Sequence, residues 1–188
     1  MTPGDLWDIE RPDHAALSYL IRDGMTCAII RDVKTAYRTL RLLPSQQCLQ
    51  CFYLEGVCYS SLSMTFGNRA AGFVWDTLAG MIQWILEDRL STRFGSGNVR
   101  VTHIGDDFCT ALRFIVDLLE AEHMIDEIMA ELGARTGREK NQAGFRFTYI
   151  GIEANLFEGT LAIKPQRLVK LQGKFGRAAY DATPLHPP

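Results

Sequence analysis

No apolar run in this 188-residue chain is long enough to span a bilayer, and its first residues lack the order of a signal peptide. An intracellular protein with no membrane partner is therefore expected, with its compartment left open. The five cysteines are odd in number and without framework spacing, which argues against a disulfide scaffold and suits a reducing setting. Cys48-Leu49-Gln50-Cys51 is a lone CxxC in surroundings that read as strand, so buried or half-buried thiols are expected rather than a zinc site. Neither internal repeats nor low-complexity segments occur. Charge of one sign is also scarce, since the net charge is −2. That balance gives no support to a dedicated nucleic-acid binder.

What the chain does have is a globular composition, 47% hydrophobic and 22% charged, at a length suited to one domain. The charge is unevenly spread. Residues 115–132 carry six acidic and no basic side chains, whereas residues 133–178 carry nine basic against three acidic. A phosphate-facing surface would lie in that last quarter.

The pattern predicts an irregular lead-in over residues 1–12 and a short helix over 14–21, capped by Asp13 and stopped by Gly24. Residues 25–33 read as a buried central strand that delivers Asp32 at its end, where a carboxylate needs a cleft or a cation. Residues 34–38 begin a short helix or turn. Residues 51–54 and 57–59 flank Glu55-Gly56 as a hairpin. A helix over about 71–90 places Phe73, Val74, Leu78, Met81, Ile82, Ile85 and Leu86 on one face, with Trp75 and Trp84 as core or interface. Residues 93–98 turn. Strands over 99–104 and about 108–114 flank Gly105-Asp106-Asp107. An acidic helix follows, turning Leu118, Ile125, Ile128, Met129 and Leu132 inward before Gly133. A basic loop covers 135–142, a strand 145–154 and a return strand 160–163. Pro165 starts a basic helix, and residues 176–188 form a tail.

The densest chemistry is at residues 101–108, Val-Thr-His-Ile-Gly-Asp-Asp-Phe. Neighbouring aspartates on one strand point apart, but at a hairpin tip behind a glycine one of them can be aimed into a shared cleft. Magnesium takes oxygen ligands, often one or two carboxylates plus substrate phosphates. Alone, such a pair is more often an ordinary surface turn.

Taken with the residues upstream, the pair resembles the palm of reverse transcriptases of the retroelement type. Asp32-Val33-Lys34-Thr35-Ala36-Tyr37-Arg38 looks like the first palm motif, an aspartate followed five residues later by an aromatic. Met64-Thr65-Phe66-Gly67 with Ala71-Gly72 looks like the template and nucleotide motif, which usually has proline where Thr65 and Gly72 stand. Ile104-Gly105-Asp106-Asp107 looks like the metal hairpin, commonly Tyr-x-Asp-Asp. Leu132-Gly133 leading to Lys140 resembles the fourth motif, and Tyr149-Ile150-Gly151 the turn that grips the primer. The five motifs run in order over residues 16–171.

The resemblance implies an α+β fold over residues 13–175: a split βαβ antiparallel sheet with helices packed on one face. It implies RNA-directed DNA polymerase chemistry, in which two Mg²⁺ (or Mn²⁺) ions stabilise the attacking and leaving oxygens. Asp32 and Asp106 would bridge the ions, with Asp107 in support. Tyr37 would floor the sugar, Phe66 and Gly67 would meet the nucleotide, Tyr149, Ile150 and Gly151 the primer, and Lys140 would protonate pyrophosphate. Partners would be an RNA or DNA template with primer, deoxynucleotide triphosphates, and further polymerase segments or an RNA-protein assembly. Gly-Asp-Asp is also similar to RNA-dependent RNA polymerases, but those place an acidic residue where Tyr37 stands.

Departures from the pattern set further expectations. The 31 residues before Asp32 are too few for fingers, and the 17 after Leu171 too few for a thumb. Low solo activity is expected, because positioning dominates phosphoryl transfer. The alternative is a non-catalytic retroelement-derived relic serving as a structural or RNA-binding component. An unrelated α+β domain ranks behind both.

Overall fold

The computed structural model describes residues 15–65, 67, 70–164 and 169–170. It is a mixed α+β fold built on antiparallel sheets. Strands β1 (Cys27–Asp32), β4 (Val99–Ile104), β5 (Asp107–Leu112) and β6 (Gln142–Gly144) form the main sheet in the order β4-β5-β1-β6. Two smaller sheets stand beside it: the hairpin β2 (Cys51–Leu54) with β3 (Val57–Ser60), and the meander β7 (Arg146–Tyr149), β8 (Ile152–Asn155), β9 (Thr160–Ile163).

Every residue of β1 is buried, as its continuous apolar run predicts for a central strand covered on both faces. Alternation then assigns the faces. Cys27 and Ile29 join Val99, Val101, Phe108 and Leu112 against two helices, α4 (Ala71–Phe94) and α5 (Leu118–Glu131). Ala28 and Ile30 join Cys109 and Ala111 against Phe147, Tyr149 and Ala154 of the meander and Leu17 and Leu20 of helix α1 (Ala15–Arg22). Helices therefore do not pack on one face alone: α1 and the meander close the other.

Helix ends follow the glycines. Gly24 and Gly133 both take positive φ, +73° and +71°. In each case the next N–H reaches back across the last turn, Met25 to the Leu20 carbonyl and Ala134 to Met129. This is the Schellman closure that only a residue free of a Cβ enters cheaply.

Several expectations are corrected. Helix α4 runs on to Phe94, and its buried stripe is Ala71, Trp75, Ala79, Ile82, Leu86 and Leu90. Phe73, Val74, Met81 and Trp84 are exposed. Apolar residues surround this helix, and the small Ala71 and Ala79 mark the face that approaches the sheet. Leu132 is likewise exposed, and Ala121 takes its place inside. The strand expected over 145–154 is two strands, because Ile150 and Gly151 both have positive φ and make a tight two-residue turn. Glu55-Gly56 turns the β2–β3 hairpin in the same way. Gln142, the last residue of the basic loop, opens strand β6, which had no counterpart among the expected elements and pairs with Ala28–Ile30 of β1. Cys48 and Cys51 are exposed rather than buried, in a 3₁₀ turn leading into β2. The lead-in, Asp13, Phe66, the tail and most of the helix expected from Pro165 lie outside the described residues.

Candidate metal centre

The β4–β5 hairpin closes through Gly105-Asp106, with Gly105 at φ +61°. Its register sets Asp107 opposite Ile104 on one side and opposite Asp32 of β1 on the other. Asp32 and Asp107 thus share the sheet face turned towards the meander. The Asp106 carbonyl accepts the Val33 N–H at 2.8 Å, which fastens the hairpin tip to the end of β1. The carboxylates of Asp32, Asp106 and Asp107 each offer an oxygen, and all these oxygens lie within 4.8 Å of one another. Asp32 is only 6% exposed.

Three carboxylates this close repel one another. Burial, followed by the neighbouring Asp32 and Asp106 charges, pushes the Asp107 carboxyl up to about 6. Lys140 counters part of this, its ammonium donating to Asp32 Oδ1 at 2.7 Å. That hydrogen bond, with the Asp32 charge, raises Lys140 above its ordinary value. The donor set fits a hard divalent cation: several convergent carboxylate oxygens, one buried, with more negative charge than one lysine neutralises.

The segment carrying Lys140 is held against β1 by its backbone. Gly137 N–H donates to the Asp32 carbonyl at 2.9 Å, and Lys34 N–H to the Arg135 carbonyl at 2.7 Å. A Cβ at Gly137 would stand 3.4 Å from Asp32 Oδ2 and 3.2 Å from Lys34 Cε, so a side chain there would lie against the carboxylate and press the lysine stem aside. Lys34 itself pairs with Glu139 at 3.1 Å. Arg31, next to Asp32 but on the opposite face, is 1% exposed and bridges Glu122 and Asp126 of α5. A buried guanidinium needs such partners, and here they anchor β1 to α5.

Residues beyond the sequence motifs also build the site. Trp75 of α4 is buried and donates its indole N–H to the Gly105 carbonyl at 2.8 Å. A buried indole N–H requires an acceptor, which is the signal that could have singled it out. His103 lies between Gln83 (2.6 Å) and Asp76 (3.3 Å), both on α4.

The remaining motif residues are placed as follows. Tyr37, in the short helix α2 (Ala36–Thr39), is half-buried with its ring 6.3 Å from Trp75. Gly67 has φ +86°, a backbone form that favours glycine. The Tyr149 side chain faces inward, 2% exposed, and its hydroxyl donates to the Asp107 carbonyl at 3.0 Å. Ile150 and Gly151 form the turn beyond it. The carboxylate cluster and Lys140 are therefore brought together. Tyr37 sits beside Trp75, and Tyr149 supports the cluster from beneath.

No protein-family model and no curated protein sequence matches the chain. Its fold is similar to that of solved reverse transcriptases. A foamy viral protease-reverse transcriptase in complex with an RNA/DNA hybrid matches with a TM-score of 0.63 at 12% identity, over 87% of this chain and 21% of that one. A foamy viral protease-reverse transcriptase dRH in complex with double-stranded DNA matches with a TM-score of 0.66 at 12% identity, over 82% and 26%. The chain spans about a fifth to a quarter of the length of these two neighbours, and over that span it has a reverse-transcriptase-like fold.

Proposed function

We propose that residues 13–175 are a polymerase palm of retroelement type that performs RNA-directed DNA synthesis by nucleotidyl transfer, with Mg²⁺ or Mn²⁺ held by Asp32, Asp106 and Asp107. The observation that carries this reading is the carboxylate cluster itself, with all its ligand oxygens within 4.8 Å at the tip of a β-hairpin. Like charges set opposite one another on adjacent strands destabilise a sheet, so the arrangement makes sense as a cation site. The split βαβ plan is supported by the chain order of the main sheet and its helices, β1, α4, β4, β5, α5, β6.

Divalent ions bound there would supply Lewis-acid stabilisation of the attacking 3′ oxygen and the leaving pyrophosphate. Asp32 and Asp106 would hold the ions, and Asp107 would add charge from the position opposite Asp32. Lys140 rests on Asp32 and keeps its proton, and would donate it to the leaving group as general acid. Tyr37 floors the sugar, and Phe66 and Gly67 flank the nucleotide. The Ile150-Gly151 turn meets the primer, with Tyr149 buttressing it. A template-primer duplex and deoxynucleotide triphosphates are the partners, and further polymerase segments or an RNA-protein assembly complete the machine. Among the described residues no helix is long and apolar enough to cross a membrane.

Primer extension tests this reading. The purified chain should extend a DNA primer on an RNA template with Mg²⁺ or Mn²⁺ when mixed with further polymerase segments, and weakly at most alone. The Asp106→Asn, Asp107→Asn double variant should not. Bound template with no extension under any of these conditions would overturn the catalytic reading in favour of a non-catalytic nucleic-acid-binding component.

A further inference from the structure

A second ligand set lies on the β2–β3 hairpin, away from the carboxylates. All four residues of each strand are exposed, so the hairpin buries no core of its own. A two-stranded hairpin in water is marginal without such a core. Three thiols lie along it, two at the base and one nearer the turn. Cys48 begins the 3₁₀ turn Cys48–Gln50, Cys51 begins β2, and Cys58 stands on β3. The register pairs Cys51 with Ser60 and Tyr53 with Cys58. Cys51 and Cys58 are therefore diagonal neighbours on one face of the hairpin. The Cys51 thiol reaches the Cys48 carbonyl at 3.2 Å and interacts with the thiols of both Cys58 and Cys48. All three cysteines are exposed, whereas Cys27 and Cys109 are buried.

We propose that Cys48, Cys51 and Cys58 bind a thiophilic divalent cation, zinc, that staples the turn and both strands of this hairpin together. Two cysteines separated by two residues, followed by a third from the facing strand, supply three corners of a tetrahedron, and water fills the fourth. A Cys51–Cys58 disulfide is the poorer use of these thiols, because diagonal positions lie about 7–8 Å apart, beyond the usual span of that bond. The three sulfurs do not all lie within 4.8 Å of one another, so binding must draw them together. The Cys48 sulfur, which faces the Ser45 carbonyl at 3.5 Å, must swing towards the other two. Binding replaces each S–H bond with a sulfur–metal bond, so one proton leaves per thiol and the site carries a net charge of −1. The ion would supply the stability that this hairpin lacks in apolar burial.

The test is a Co²⁺ titration of the reduced, chelator-stripped full chain in excess Mg²⁺, which occupies the carboxylates and does not compete for sulfur. The expected result is one Co²⁺ per chain with thiolate-to-cobalt charge-transfer absorption, displaced by Zn²⁺ with proton release. Cys48→Ser and Cys58→Ser should each lose most of that absorption. In the unmutated chain, Zn²⁺ should slow amide hydrogen exchange across residues 51–60. An absent charge-transfer band would overturn the proposal. So would a band unchanged by Cys58→Ser, or a Cys48–Cys51 disulfide forming in place of metal binding. Because the hairpin hydrogen-exchange readout needs no variant, it tests the staple even if a serine replacement fails to fold.

Discussion

Asp32 and Asp107 stand directly opposite one another on β1 and β5, the last residue of one strand facing the first of the other. This pair, with Asp106 beside it, places negative charge that Lys140 only partly compensates at the end of a buried strand. Its consequence is a stability that depends on pH in the sense opposite to that of most carboxylates.

In the folded chain Asp107 titrates near 6 rather than at its ordinary 3.8. The folded state therefore binds the proton more tightly, and the contribution is fully favourable below the unfolded value. It is lost as pH rises through about 6. Metal-free protein should be less stable at pH 7 than at pH 5, by roughly 1 kcal/mol from this group once solvent screening of a half-buried site is allowed for. Asp107→Asn should raise the pH 7 stability and remove that step, as read by urea unfolding at the two pH values. Equal pH dependence in the variant would detach Asp107 from the cluster.

Lys140 is the cationic side chain bonded to Asp32, although most of its own side chain faces solvent. Lys140→Gln should lower the metal-free melting temperature by removing that neutralisation. Added Mg²⁺ should restore more stability to the variant than to the parent chain. In an assembly that extends primers, the same variant should lose about 10²–10⁴-fold in the chemical step if Lys140 is the general acid. A loss confined to nucleotide affinity would instead make it an electrostatic clamp.

Two hydroxyl- or indole-borne hydrogen bonds hold the hairpin from opposite faces of the sheet. Trp75 reaches Gly105 from α4, and Tyr149 reaches Asp107 from the meander. Trp75→Phe and Tyr149→Phe should each cost about 1 kcal/mol of stability, because a part-buried carbonyl at the hairpin loses a donor. Both should weaken divalent-ion binding more than an apolar replacement remote from the hairpin, such as Ile125→Val in α5. Unfolding curves and Mn²⁺ titrations on the same samples separate the two effects.

Much of the site was legible because it is local. Gly105-Asp106-Asp107 is a turn, and Asp32 ends an apolar run whose length alone marks a central strand. Local glycine chemistry likewise placed the ends of α1 and α5. The supports of the site were not legible, because they arise from register and packing. The apolar pattern of residues 71–94 runs round the helix and does not separate Trp75 from Trp84; small Ala71 and Ala79, one turn to either side, put Trp75 on the face that closes on the sheet. The short strand β6, just past the basic loop, escaped notice because three residues, one of them glycine, carry almost no strand signal. Burial of Tyr149 depended on the meander folding back over β1. The convergence of Cys58 on the CxxC required the hairpin register.

Mn²⁺ binding, followed by loss of the free-ion electron paramagnetic resonance signal, tests the carboxylate centre most directly, without primer, template or partner chains. Manganese prefers oxygen ligands and leaves the hairpin thiols aside. The predicted result is binding to the intact chain that strengthens as pH rises through about 6, where Asp107 gives up its proton. That binding should collapse in the Asp106→Asn, Asp107→Asn variant. Equal binding by both proteins, or none by either at neutral pH, would contradict the assignment of Asp32, Asp106 and Asp107 as a metal centre.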